Sequence, residues 1–337
     1  MSALATDVTT ESLLRVQGLR IGVPRPDGSA TTLVHDVSFD IAPGERYGLV
    51  GESGSGKSMT LRAIAGLLPR GVKVLGGQIE FAGSDLLTMP PGQRRLLMGP
   101  KISMIFQEPM TALNPTMRVG RQVSEGPRRH FGLSRSAADK LAVEMLALTG
   151  IPDPRRRAQA YPHELSGGLR QRIMIAMALS CKPSVVLCDE PTTALDVTVQ
   201  DQVLRLLAQL CEEMGSSLVF VTHDLAVVSQ TCSRMSVMYA GRLMEQGGVR
   251  HVYEAPRHPY TEALFASAPD FDEPERELVA IPGLPPSLTN PPPGCPFAPR
   301  CAHSVDDCDA GPKALVAVGP GRRTACDRVD AIYGATS

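Results

Sequence analysis

The sequence has no apolar run approaching the roughly 20 residues a membrane-spanning helix needs. Its first eleven residues, Met1 to Glu11, are polar and acidic, the wrong pattern for a secretory leader. Both absences lead us to expect a cytoplasmic protein whose membrane role comes through partners. Net charge is also nearly absent, −1 over 337 residues, which removes the basic footprint of a nucleic-acid-binding chain. Lysine is scarce beside arginine, a bias that points to no function. The arginine groups Arg128-Arg129 and Arg155 to Arg157 read as solvated helix ends or loops. What remains is 43% hydrophobic, enough for a sizeable core, in a length that suits one large domain plus an appendage.

The pattern along the chain is that of an α/β domain. LLRVQGLRI and TTLVHDVSFDI alternate apolar and polar residues around the turn PRPDGS, so residues 13–41 predict β-structure. RYGLV (46–50) reads as a buried strand entering a glycine-rich loop, and MTLRAIAGLL follows with helical spacing up to Pro69. KISMIFQ (101–107) is a second strand. Amphipathic helices are expected over RVGRQVSEGPRRHFG and SRSAADKLAVEMLALTG, and an apolar one over LRQRIMIAMALSC. The strands SVVLCDE, SLVFVTH and MSVMYAGRLM then alternate with helices, which implies a largely parallel sheet.

Three segments carry chemistry. Gly51-Glu52-Ser53-Gly54-Ser55-Gly56-Lys57-Ser58, with Met59 behind it, matches a phosphate-binding loop between a buried strand and an apolar helix. Its glycines let backbone N–H groups point at phosphates, and the helix N-terminus adds positive charge. In such a loop Lys57 reaches the β- and γ-phosphates and Ser58 is placed to ligate Mg²⁺. VVLCDE ends in Asp189 and Glu190, one suited to the Mg²⁺ shell and the other to polarising a water. Between them, Leu165-Ser166-Gly167-Gly168 precedes a helix, a second anion-binding terminus.

The last of these, continued as Leu169-Arg170-Gln171-Arg172, resembles the signature of ATP-binding-cassette ATPases. The resemblance implies a RecA-like core, an antiparallel β subdomain and a helical subdomain carrying the signature. It also implies ATP and Mg²⁺ as cofactors, and a dimer in which Ser166, Gly167 and Gly168 face the ATP of the partner subunit. Gln107 resembles the glutamine that senses Mg²⁺, and Thr193-Ala194-Leu195-Asp196 the loop whose aspartate communicates across the dimer. His223 resembles the switch histidine at the γ-phosphate. The family's adenine-stacking aromatic is missing: the matching stretch is Arg20-Ile21-Gly22-Val23, where Val23 offers no flat face.

Phe106 to Pro115 (FQEPMTALNP) is similar to the oligopeptide and dipeptide importer ATPases. So are His258-Pro259-Tyr260-Thr261, Ile281-Pro282-Gly283 and Gly294 to Cys301. This implies the first ATPase of a related pair, two permease subunits and an extracytoplasmic solute-binding protein, at the cytoplasmic face of the membrane. Nickel, glutathione or another solute are alternatives to peptides, and a soluble cassette in DNA repair or translation is the reading from a different class. We place a boundary near residue 250, with 12–250 as the ATPase domain and 251–337 as a Cys/Pro-rich C-terminal extension.

Four cysteines read as small core residues: Cys181, Cys188, Cys211 and Cys232. The other four, Cys295, Cys301, Cys308 and Cys326, are spaced C-x5-C-x6-C-x17-C. A reducing compartment disfavours disulfides, and tight zinc pairs are lacking. An iron–sulfur cluster, zinc and free thiols all remain open, and the importer resemblance implies a [4Fe–4S] cluster.

Overall fold

The computed structural model describes residues 12–108, 112–191, 197–222, 224–267, 279–287 and 291–334. The chain opens with β1 (Leu14–Pro24) and β2 (Ala30–Ile41), then β3 (Arg46–Val50) and α1 (Lys57–Ala65). Next come β4 (Lys73–Phe81), β5 (Ser84–Asp85), α2 (Pro91–Leu97) and β6 (Ile102–Ile105). Four helices follow: α3 (Val119–Phe131), α4 (Arg135–Leu148), α5 (Pro154–Arg157) and α6 (Gly167–Leu179). Alternation then resumes through β7 (Val185–Asp189), α7 (Val197–Glu213), β8 (Ser217–Thr222), α8 (Leu225–Thr231) and β9 (Arg234–Tyr239). The last part holds β10 (Arg242–Gly248), α9 (Val249–Glu254), α10 (Pro259–Ala266), β11 (Val316–Gly319), β12 (Arg322–Thr324) and α11 (Val329–Tyr333).

These strands make two sheets. The smaller is antiparallel, in the order β2-β1-β4-β5, and the larger runs β11-β12-β10-β9-β3-β8-β7-β6. Within the larger sheet, β9, β3, β8, β7 and β6 are parallel. Strand alternation sends successive side chains to opposite faces. Val185, Leu187, Val219 and Val221 join α1 and the antiparallel sheet in one core. Their neighbours Val186, Cys188, Leu218 and Phe220 join α3, α4, α6 and α7 in another. Cys181, Cys188 and Cys211 are buried as expected of core thiols, and Cys232 is half-buried.

Three features of the fold escape a reading by local pattern. Strand β4 has the sequence KVLGGQIEF, whose Gly76-Gly77 pair breaks the alternation. At Gly77, β1 passes too close for a side chain: a Cβ there would lie 2.5 Å from the Gly18 carbonyl oxygen. The segment MSVMYAGRLM is not one strand but a hairpin, turned at Ala240 and Gly241, both in the left-handed region (φ 45° and 78°). And residues 316–324 return to the main sheet, where Glu245 of β10 pairs with Thr324 of β12.

Glu245 shows how that returning edge is held. It is fully buried, accepts from Arg322 at 2.6 and 3.1 Å, and accepts from the Arg257 backbone N–H at 3.0 and 3.1 Å. Breaking such a pair strands a charge in the core. Glu245→Ala should therefore lower unfolding stability by about 3 kcal/mol, and removing Arg322 as well should cost less than the sum. Urea unfolding of the single and double variants measures both.

Candidate functional site

Parallel pairing sets the register that builds the site. Val50 lies beside Thr222, and Asp189 beside Val221, so β3, β7 and β8 end at one edge. The C-terminal edge of parallel strands is where open α/β sheets bind ligands. Here it carries the loop 51–56, the carboxylates of Asp189 and Glu190, and Gln107 two residues beyond β6.

The loop curls because its glycines permit it. Gly51 sits against β9, where a Cβ would come within 2.0 Å of the Met238 carbonyl oxygen, and Gly56 caps α1 with φ 102°. The Ser55 N–H donates to the Glu52 carbonyl (3.2 Å), and the Gly241 N–H donates to that of Ser55 (2.9 Å). Ser53 and Gly54 form the exposed crest. Lys57 is buried and folds back over the loop, donating to the carbonyls of Gly51 (2.7 Å) and Glu52 (2.8 Å). Burial pulls its pKa down to about 8, against the opposing pull of Glu190, Asp189 and Glu52. Met59 continues the helix half-buried and packs on the core shared with the antiparallel sheet.

Ser58 donates to Asp189 Oδ1 at 2.6 Å. Asp189 is fully buried, and burial raises its pKa while Ser58 and Arg62 work the other way. Its Oδ2 is 3.7 Å from Arg62 and has no hydrogen-bond partner among the described residues. An orphaned carboxylate oxygen beside a hydroxyl fits the surroundings of Mg²⁺, a hard cation with oxygen ligands. Glu190 follows with φ 43°, a left-handed backbone that costs energy in a non-glycine residue. Its N–H donates to the Val221 carbonyl (3.0 Å), and its carboxylate accepts from Gln107 Nε2 (3.1 Å). The structure thus brings Lys57, Ser58, Gln107, Asp189 and Glu190 into one place.

Ser166, Gly167 and Gly168 lie elsewhere. Ser166 caps α6 from an exposed position and its side chain makes no capping bond, so the helix N-terminus faces outward. Helix α6 belongs to the second core, on the face of the sheet away from α1. Asp196, with the Thr193–Leu195 loop, and His223 fall outside the described residues. Val23 stands at the end of the β1–β2 hairpin, 38% exposed, with no aromatic side chain in that strand.

A reading by motif missed the residues that grip the loop from the far end of the chain. The Tyr260 hydroxyl accepts from the Glu52 N–H (2.9 Å), and Arg300 pairs with the Glu52 carboxylate (2.8 and 3.1 Å). Both lie in segments that the importer resemblance singles out, but nothing local in them says what they touch.

Cys295, Cys301, Cys308 and Cys326 all border one cavity of about 350 Å³. Burial raises the thiols of Cys295 (to about 11), Cys301 and Cys326, and neighbouring thiols add to the effect. Backbone amides oppose it: those of Phe297 and Ala298 at Cys295, His303 at Cys301 and Arg328 at Cys326. Four thiols with amide donors form a suitable donor set for a Cys₄ group. Among the described residues, however, no group of three or more His, Cys, Asp or Glu side chains is placed so as to hold a metal ion.

Comparisons with known proteins place the chain in a family. A family model for the ABC transporter matches residues 34–193, and one for the oligopeptide/dipeptide transporter C-terminal region matches residues 244–308. The oligopeptide transport ATP-binding protein OppD of Salmonella typhimurium is 48% identical over 314 residues, covering 93% of each chain. The dipeptide transport ATP-binding protein DppD of Bacillus subtilis is 48% identical over 300 residues, 89% of each chain. An ATP-binding cassette solved as a dimer in a post-hydrolysis state with ADP and Pi superposes with a TM-score of 0.63. It is 27% identical and covers 70% of this chain and 99% of that one. The fold is that of an ATP-binding cassette ATPase. The chain belongs to the ATP-binding proteins of the oligopeptide/dipeptide family of ABC importers, whose members work with membrane permeases. No helix among its own described residues is long and apolar enough to cross a membrane.

With Lys57 at the phosphates, as the loop resemblance implies, its lowered pKa should make ATP binding depend on pH. Below about 8 the ammonium is present in the free protein; above it, phosphate must bind with uptake of a proton. ATP affinity should fall as pH rises through that value. Titration calorimetry in two buffers of different ionisation enthalpy measures the uptake, and a flat affinity without it contradicts the assignment.

Proposed function

We propose that this chain is the subunit whose ATP hydrolysis energises import of oligopeptides or dipeptides. It sits at the cytoplasmic face of the membrane, pairs with a second, related ATPase, and drives two permease subunits served by an extracytoplasmic solute-binding protein. The observation that carries this reading is the meeting of Lys57, Ser58, Asp189 and Glu190 at one strand edge. It occurs in a chain matched along nearly its whole length by relatives named for peptide transport.

In this reading Lys57 grips the β- and γ-phosphates over the amides of residues 51–59. Ser58 and Gln107, with Asp189 behind them, hold Mg²⁺, whose contribution is to neutralise phosphate charge. Glu190 takes the proton of the attacking water, and His223 orients that water at the γ-phosphate. The water oxygen bonds to phosphorus as the bond to the ADP oxygen breaks. Ser166 to Gly168 serve the ATP of the partner cassette, and Asp196 links the two sites. Residues 12–250 form the ATPase and 251–337 the extension. Its four cysteines hold a [4Fe–4S] cluster, a reading supported by their common cavity and its amide donors.

Two experiments test these assignments. Glu190→Gln should slow hydrolysis by about 100-fold or more and accumulate an ATP-bound dimer on size-exclusion chromatography. Sustained wild-type turnover by that variant contradicts the role. Anaerobic purification should yield a brown protein with iron and sulfide in equal amounts, lost on replacing Cys301 with serine; a colourless, iron-free protein removes the cluster.

A further inference from the structure

Glu52 is the one acidic residue among positions 51–58. A carboxylate there stands beside the groups that meet the triphosphate, and its charge reaches Lys57. Left to itself it would repel the phosphates and compete with them for the ammonium.

The structure gives that carboxylate another partner. Arg300 offers a two-pronged contact, Nη1 to Oε2 at 2.8 Å and Nη2 to Oε1 at 3.1 Å. Its side chain is only 5% exposed, so its other donors need partners too. They have them: Nε donates to the Pro282 carbonyl (2.8 Å), Nη2 to that of Ile281 (3.2 Å) and Nη1 to the Tyr239 hydroxyl (3.0 Å). The planar fork suits a guanidinium and not an ammonium. The Glu52 N–H donates to Tyr260, whose ring packs on Tyr239 (4.4 Å between centroids) and Phe297 (5.3 Å). One residue of the loop is thus held at its amide and at its carboxylate by residues 208 and 248 positions later.

We propose that Arg300 is a positioning residue for ATP binding, acting through Glu52. It keeps the carboxylate paired and turned toward the C-terminal segment, which leaves Lys57 and the loop amides other than that of Glu52 to the phosphates. Arg300 itself touches no phosphate. The inference rests on the reading of residues 51–58 as the ATP site. It also makes the C-terminal segment part of that site: Arg300 ends the short helical turn Ala298–Arg300, between Cys295 and Cys301.

The test is the affinity of the full-length chain for a fluorescent N-methylanthraniloyl ATP with Mg²⁺. Arg300→Ala should raise Kd about tenfold, and Arg300→Lys by less, because charge survives but the fork does not. Glu52→Gln removes the stranded charge, so Glu52→Gln/Arg300→Ala should bind within about twofold of Glu52→Gln alone. A purely structural role for Arg300 would not be rescued this way. An unchanged Kd in Arg300→Ala, or equal weakening in both Glu52 backgrounds, overturns the proposal. If Arg300→Ala does not fold, Arg300→Lys with and without Glu52→Gln makes the same comparison. Lys57→Ala separates the two readings: wild-type affinity in that variant overturns the ATP site itself.

Discussion

The parallel pairing of β3, β8 and β7 brings a buried lysine and a buried carboxylate to one edge of the sheet, and the hydrogen bond from Ser58 to Asp189 joins them. Neither group is comfortable there. Burial works against the charge on Lys57 and against that on Asp189, so each pays in desolvation for its position. Glu190 adds a strained backbone at the same strand end. A polyphosphate with its cation offers what these groups lack: anionic oxygens for the lysine, and a close cation for the aspartate oxygen that has no hydrogen-bond partner among the described residues. Stability lost locally is recovered on binding, which is a reason for such arrangements to gather at functional sites.

The two cores fit the proposal that one chain makes only part of a catalytic unit. The phosphate loop is backed by α1 and the antiparallel sheet, whereas the Ser166–Gly168 terminus is carried by helices on the opposite face. An outward-facing helix N-terminus with no side-chain cap suits an anion presented by another molecule. In the proposed dimer, the division of labour between paired cassettes would follow from this division of the fold into faces.

What was legible in the sequence was what local chemistry dictates. Residues 51–58 need glycines at fixed offsets before a lysine, and VVLCDE needs four apolar positions before its carboxylates. Both patterns survive in a single sequence because neighbours in the chain enforce them. The elements that were missed depend on distant partners. Gly77 in β4 answers the approach of Gly18, and the Arg300–Glu52 pair spans most of the chain. Neither leaves a local period to read. The cysteines fall between these cases: their clustering in sequence anticipated a shared cavity, while the chemistry of that cavity depends on amides contributed by the fold.

The most direct test of the account is a structure of this chain, assembled with its partner cassette and permeases, with Mg²⁺ and a slowly hydrolysed ATP analogue. The account predicts phosphates seated on the amides of residues 51–59. It predicts the Ser58 hydroxyl turned from Asp189 to the metal, and the γ-phosphate closed over by the signature of the partner subunit. A nucleotide bound elsewhere, or one whose γ-phosphate is met by this chain's own Ser166, would contradict it.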